Sequence, residues 1–399
     1  MGDPPLAGLR VVEFGQLLAG PYVGTLLGDF GADVVKVEAP PAGDPMRDWG
    51  RLRHNDHSLW WSILARNKRS VTLDLRERPG QALAARLCVG ADVVLENFRP
   101  GTMEKWGLGP ADVHGENPRA VYARVSGYGQ TGRYRDRPGF ASAGEAIGGL
   151  RHINGYPGAA PPRNGISLGD TLAAQSTFQG ILLALYARDV RGATGQVVDA
   201  SITDACFAMT ESMVVEYEKT GYVRQPSGTR ISRIAPSNVY RSKDGRWVVI
   251  AANHDTLWKR LAALMGRPEL GDDERFSTHH ARGEREDELD EIIGSWAAQH
   301  TADELDRILN EGGVVCAPVY TAADIAADPY FEERGLLVDH EDDVHGAMRV
   351  PGVVPKLTAT PGAIRRAAPW TVGADTNAVL EELGVGADER ARLRDDGVI

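Results

Sequence analysis

The sequence predicts an α/β protein with a Rossmann-like parallel sheet in a large domain and a smaller α+β domain behind it. Two observations carry this. Short apolar runs alternate with stretches of helical length through the first 200 or so residues, and strand-helix-strand units pair their strands in parallel. The texture then changes at 220–237, which is rich in Gly, Pro, Ser and Arg and reads as a linker. A chain of 399 residues is long enough for two domains.

The elements follow in order. Residues 9–14 read as a buried strand, 15–21 as a loop and 22–30 as a helix that Gly31 ends. Residues 34–37 form a second strand, followed by Glu38. An acid in that place suits a nicotinamide dinucleotide, but the loop Gly15-Gln16-Leu17-Leu18-Ala19-Gly20-Pro21 does not fit G-x-G-x-x-G. The fold stands without that ligand. Strands are predicted at 71–75, 92–95, 120–125 and 196–200, with helices at 80–87, 172–186 and 202–219. The smaller domain has strands at 247–250 and 314–319 and helices at 255–265, 286–299 and 302–310. Beyond it come strands near 336–338 and 348–350, then helices at 375–383 and 388–394.

Ligands of open parallel sheets bind beyond the carboxyl ends of the strands. There the chain carries Glu96-Asn97-Phe98-Arg99-Pro100-Gly101, suited to an amide and a flat ring or to a plain turn. The glycine-rich Ser126–Gly132 lies at another such end.

A net charge of −11 argues against a nucleic-acid partner, and no apolar run of about 18 residues predicts a membrane span. No basic-then-apolar leader opens the chain. Cys88, Cys206 and Cys316 lie far apart and read as buried thiols of a reducing, cytoplasmic compartment. The pairs His54 with His57 and His279-His280 lack partners at ligand spacing, so no metal site is expected.

Asp170 stands between Gly169 and a helical run in which Phe178, Ile181, Leu182, Leu185 and Tyr186 share one stripe. Two roles fit an Asp at a helix start. One is an N-cap; the other is a nucleophile, with Gly169 letting a ligand approach the backbone.

Several stretches together resemble a known family. They are 9–14, Ala19-Gly20-Pro21, 31–38, Gly43-Asp44-Pro45, 67–75, 91–101, Gly127-Tyr128-Gly129, Leu168-Gly169-Asp170 and 195–199. In this order they resemble the class III coenzyme A transferases, the family of formyl-CoA transferase, carnitine CoA-transferases and α-methylacyl-CoA racemases. The resemblance implies a transferase that moves CoA from an acyl-CoA to a carboxylic acid, with no permanently bound cofactor. It implies Asp170 as the nucleophile, passing through an aspartyl anhydride and an aspartyl-CoA thioester. Water must be kept from the anhydride, and glycines at 127–132 and 144–149 are candidate oxyanion donors.

It further implies CoA contacts at Leu18 and Ala19 near the reacting centre, Leu73, Asp74, Leu75 and Arg76 along the adenine, and Asn97, Phe98 and Arg99 along the adenine and pantetheine. Lys105 stands where the family has a basic residue near the phosphates. Leu18 replaces the Gln of formyl-CoA transferases, which removes a polar contact to a small acid such as oxalate. The racemases use a His-Asp stretch where this chain reads Arg135-Asp136-Arg137-Pro138-Gly139-Phe140. Transfer is therefore favoured over racemisation, and an inactive CoA-binding scaffold is the third reading. Arg47, Arg51 and Arg53, near Trp49, Trp60 and Trp61, suit a second carboxylate, pointing to succinyl-CoA and a dicarboxylic acceptor; equally, they suit surface acids or the CoA phosphates. The resemblance also implies an interlocked homodimer of ring-shaped chains, with domains at 1–222 and 223–324 and a return to the first at 325–399.

Overall fold

The computed structural model describes residues 2–399. Backbone contacts divide the chain into two compact units. One comprises the residues up to Leu150, Asn164–Ser212 and Pro329–Ile399; the other comprises Arg151–Arg163 and Met213–Asp328.

The first unit is built on a six-stranded, wholly parallel sheet. Its strands are β1 (Arg10–Glu13), β2 (Asp33–Glu38), β3 (Lys68–Thr72), β4 (Val93–Glu96), β5 (Val121–Ser126) and β6 (Val197–Ser201). In space they run β3-β2-β1-β4-β5-β6. The chain therefore winds one way from β1 to β3, returns beside β1, and winds the other way. That reversal leaves a crevice at the carboxyl ends of β1 and β4. Val11, Val12, Val34, Val35, Val93 and Val94 are buried on both faces of the sheet, which explains why these runs are continuously apolar and do not alternate.

Helices cover both faces. Leu83, Ala84 and Leu87 of Arg78–Val89 close one side, together with Val379 and Leu380 of the penultimate helix Thr376–Glu382. Ala19–Asp29 and Leu168–Val190 close the other. Residues 329–399 thus complete the core of the first unit; Val398 C=O accepts from Asp74 N–H at 2.8 Å.

The second unit has a three-stranded antiparallel sheet, in the order Val315–Pro318, Trp247–Ala251, Ser237–Arg241. Three helices pack on it through Trp258, Leu289, Ile293 and Leu305, with Phe276 joining the same core from a turn. The α+β expectation holds here, with Ser237–Arg241 as an additional strand.

Two helical expectations need correction. The single helix at 202–219 is two helices, Ile202–Phe207 and Met213–Thr220. The Thr210 hydroxyl donates to Phe207 C=O (2.8 Å), and Glu211 takes a left-handed φ of 53°. The buried stripe of Leu168–Val190 is also not the large one foreseen. Tyr186 is exposed, and Gly169, Ala173, Ala174 and Thr177 face inward with Ile181 and Leu185. Small side chains let this helix pack close to its neighbours.

No helix among the described residues is long and apolar enough to cross a membrane. The three cysteines are buried and unpaired by disulfides.

Candidate active site

Asp170 is the third residue of Leu168–Val190, inside its first turn and not its N-cap. Ser167 occupies the cap and makes no side-chain capping bond. The free donor at Gly169 N–H instead goes to Glu145 Oε1 at 3.2 Å. Glu145, fully buried on the helix Ala141–Ile147, therefore does the work expected of Asp170. Gly169 serves packing, contrary to the expectation of ligand approach: a Cβ there would lie 2.9 Å from Ile202 Cγ2 and 3.2 Å from Glu145 Cγ. Gly144 and Gly148 likewise press against Ile202 and Cys206.

Asp170 is half-buried and lines a cavity of about 350 Å³ at the carboxyl ends of β1, β4 and β5. A helix N-terminus is a favourable place for an anion. The nearby Cys206 thiol is pushed up to about 11 by burial, with the carboxylates of Glu145 and Asp170 acting in the same direction. Leu18, Ala19, Asn97, Phe98 and Arg99 line the same cavity as Asp170.

A second cavity of about 290 Å³ opens beyond β2 and β3 and is lined by Leu73, Asp74, Leu75 and Arg76. Gln16 and Phe98 border both cavities. All the expected contact residues but one therefore gather at two adjoining hollows. The exception is Lys105, which is exposed at the end of Thr102–Lys105 and borders neither. Arg76 holds Asp74 (Nη2 to Oδ2, 2.6 Å), which keeps that carboxyl below the usual range.

Of the basic neighbourhood foreseen at Arg47, Arg51 and Arg53, two members are engaged within the protein, and Arg51 is exposed. Arg47 donates from Nε and Nη2 to the two Glu38 oxygens (2.8 and 2.7 Å) and from Nη1 to Trp370 C=O (2.6 Å), and it stacks over Trp61 at 3.9 Å. Arg53 pairs with Asp48 at 3.0 Å. The positive charge beside Asp170 comes from Arg99, Arg135 and Arg137. Arg135 has Asp136 at 3.4 Å, whereas Arg137 stacks on Tyr134 at 3.8 Å and forms no ion pair among the described residues. The sequence signal for this pair was three arginines, at 133, 135 and 137, beside a glycine-rich loop.

Beneath the loop that follows β1 lies a buried charge network. Lys36 Nζ contacts Glu13 (2.9 Å), Asp44 (2.7 Å) and Gly15 C=O (2.9 Å). Lys68 contacts Glu13 (2.9 Å) and donates to Pro21 C=O (2.5 Å). Asp44 Oδ1 accepts from Leu17 N–H (3.0 Å), and Leu17 has a left-handed φ of 61°. Burial lowers Lys68 to about 8 despite Glu13, while three carboxylates outweigh burial and raise Lys36. Among the described residues no group of three or more His, Cys, Asp or Glu side chains is placed to hold a metal.

Comparison with known proteins shows the family. Residues 6–376 match the model of the CoA-transferase family III. The chain is 48% identical to the succinyl-CoA–D-citramalate CoA-transferase of Chloroflexus aurantiacus, covering 99% of this chain and 98% of that one. It is 40% identical to the succinyl-CoA–L-malate CoA-transferase alpha subunit of the same organism, over 99% and 92%. Its fold is similar to the crystal structure of a CAIB/BAIF family protein from Brucella suis, with a TM-score of 0.84, 31% identity and coverage of 96% and 100%. With the sheet, the paired cavities and the ordered motifs, these matches make the chain a member of the CoA-transferase family III and an enzyme of that class.

Proposed function

We propose that the enzyme transfers CoA from succinyl-CoA to a dicarboxylic acid, with Asp170 as the nucleophile. The observation that carries this is the placement of Asp170 on a cavity that shares Gln16 and Phe98 with a second one at Leu73–Arg76. An acyl-CoA laid across both puts its thioester at Asp170 and its adenine between Leu73 and Arg76. The similar proteins named above take succinyl-CoA with citramalate or malate. Arg99, Arg135 and Arg137 supply cations for the phosphates and for the second carboxylate of the acid.

The steps balance without any resident cofactor. A carboxylate oxygen of Asp170 attacks the thioester carbon, the C–S bond breaks, and CoA thiolate leaves a mixed anhydride. The thiolate then attacks the Asp170 carbonyl and releases succinate, giving an aspartyl-CoA thioester. The acceptor carboxylate displaces thiolate from that thioester, forming a second anhydride. Thiolate attacks its acceptor carbonyl, the new acyl-CoA departs, and the Asp170 carboxylate is regenerated. Each displacement is easier than a direct exchange. Of the glycines named as oxyanion donors, Gly127 borders the cavity beside Asp170, together with Gly139.

Racemisation would need an acid–base partner at the α-carbon. Among the described residues lining the Asp170 cavity none is a histidine, which favours transfer. Exposed Leu183, Tyr186 and Val190 recur at helical spacing on Leu168–Val190 and support an apolar contact with a second copy, in keeping with an interlocked homodimer. The buried, unpaired cysteines support a reducing, cytoplasmic setting.

The test is a panel of acceptors offered with succinyl-CoA, with the product acyl-CoA identified by mass. Dicarboxylic acids are expected to be used and Asp170→Asn to abolish turnover. Strict use of monocarboxylic acids, or α-deuteration of a 2-methylacyl-CoA in deuterated water without any acceptor, would overturn the reading.

A further inference from the structure

The two cavities meet at Gln16 and Phe98, and both walls are held by side chains from consecutive positions at the end of β4. Asn97 Oδ1 accepts from Gln16 N–H at 2.8 Å, and Asn97 Nδ2 donates to Gln16 C=O at 2.9 Å. The carboxamide thus closes a two-bond ring with one residue of the facing loop, across the reversal point of the sheet. The facing backbone is kept small to admit it. A Cβ at Gly20 would lie 3.0 Å from Asn97 Cγ, and one at Gly15 would lie 3.2 Å from Asn97 Oδ1.

The opposite wall is pinned by Glu96. Its Oε2 accepts from Phe98 N–H at 2.7 Å, and its Oε1 accepts from Arg124 Nε at 2.7 Å. Arg124 also donates to Glu104 at 2.7 Å. The Phe98 ring rests edge-on against Trp106, with centroids 5.2 Å apart. The fully buried Glu96 has no route to a ligand, and both polar atoms of the Asn97 side chain are engaged by Gln16.

We propose that Asn97 and Glu96 are positioning residues that fix the width of the passage between the two cavities, one through Gln16 and the other through Phe98. The inference rests on the CoA reading above. The ligand it concerns is the part of CoA that must thread this passage, the pantetheine arm. A molecule that fills only one cavity meets Gln16 and Phe98 from one side alone, so the residues govern spanning ligands far more than fragments. This separates a positioning role from general support of the fold.

The experiment measures, by calorimetry on the full chain, the affinity for CoA and for adenosine 3′,5′-bisphosphate, which reaches only the adenine end. Asn97→Ala and Glu96→Ala are each expected to weaken CoA about tenfold, the effect of one or two hydrogen bonds, and to leave the bisphosphate within about twofold. Glu96→Gln, which keeps an oxygen for Phe98 N–H, is expected to restore most of the CoA affinity. Gly20→Ala displaces Asn97 from the other side and is expected to act like Asn97→Ala. Asn97→Asp, which keeps the acceptor and loses the donor, replaces Asn97→Ala should that variant not fold. Equal loss for CoA and bisphosphate, or no loss for either, would overturn the proposal. A wild-type protein that binds neither would instead overturn the CoA reading on which it stands.

Discussion

Asn97 and Gln16 are joined by two hydrogen bonds, each about as long as a bond within a sheet, across the line where the chain reverses direction between β1 and β4. Asn97 was foreseen as a direct contact for the ligand. It lines the Asp170 cavity, and both polar atoms of its carboxamide also bond the backbone of Gln16, in the loop of Leu18 and Ala19. The same loop is fixed from below by Lys36 at Gly15 C=O and Asp44 at Leu17 N–H. On the β1 side the cavity is therefore bordered by a loop that polar groups from β2, from the segment after it and from the end of β4 all hold.

Gly169→Ala tests the packing behind Asp170. The added Cβ would press on Ile202 and Glu145, and overpacking of this kind costs about 1–3 kcal/mol. Urea denaturation is expected to show a lowered midpoint with an unchanged m-value. Wild-type stability in the variant would mean that the neighbouring helices yield freely.

Breaking the buried network is expected to be costly. Lys36→Met leaves Asp44 with its main cation removed, and Glu13 with one cation of two. Removing one partner of a buried pair costs about 3–5 kcal/mol. Paired replacement, Lys36→Met with Asp44→Leu, should recover part of that loss even though Leu17 N–H then lacks its acceptor. Equal stability of the single and double variants, read by thermal denaturation, would argue against coupling.

Arg47 is predicted to matter for stability and not for choice of acid. Its guanidinium is bidentate on Glu38 and capped by Trp370 C=O. Arg47→Lys keeps the charge and loses the fork, so the melting temperature should fall while the KM for the acceptor acid stays within about twofold. A large rise in that KM without loss of stability would return Arg47 to the substrate.

Glu96 predicts a pH signature. Burial pushes its carboxyl up to about 7 against the pull of Arg124, from the usual 4.5. The folded state therefore binds a proton that the unfolded chain has released between about pH 4.5 and 7, so this group's contribution falls as pH rises through that window and is flat above it. The swing is at most about 3 kcal/mol. Denaturation at pH 5 and 7.5 should show the difference between wild type and Glu96→Gln changing with this sign. A constant difference would place the Glu96 carboxyl in its ordinary range.

The sheet was legible because its strands are buried on both faces and so read as unbroken valine runs, from Val11-Val12 through Val93-Val94. The site's position followed, since ligands gather at the carboxyl ends of such strands. What the sequence hid was partnership. An aspartate early in a helix looks the same whether it caps the helix or not, and only the fold brings Glu145 to Gly169 N–H. Arg47 looked available because Glu38, nine residues earlier, faces it only once β2 is in place. Tyr186 fitted the apolar stripe by spacing, yet the helix turns its small residues inward, and at Gly169 Ile202 and Glu145 leave no room for a larger one.

The chemistry at Asp170 is tested most directly by mass spectrometry of the protein mixed with succinyl-CoA and digested under acid. A peptide containing Asp170 is expected to carry a CoA or succinyl adduct, absent in Asp170→Asn. Turnover with no adduct on that peptide, together with an active Asp170→Asn, would contradict the account.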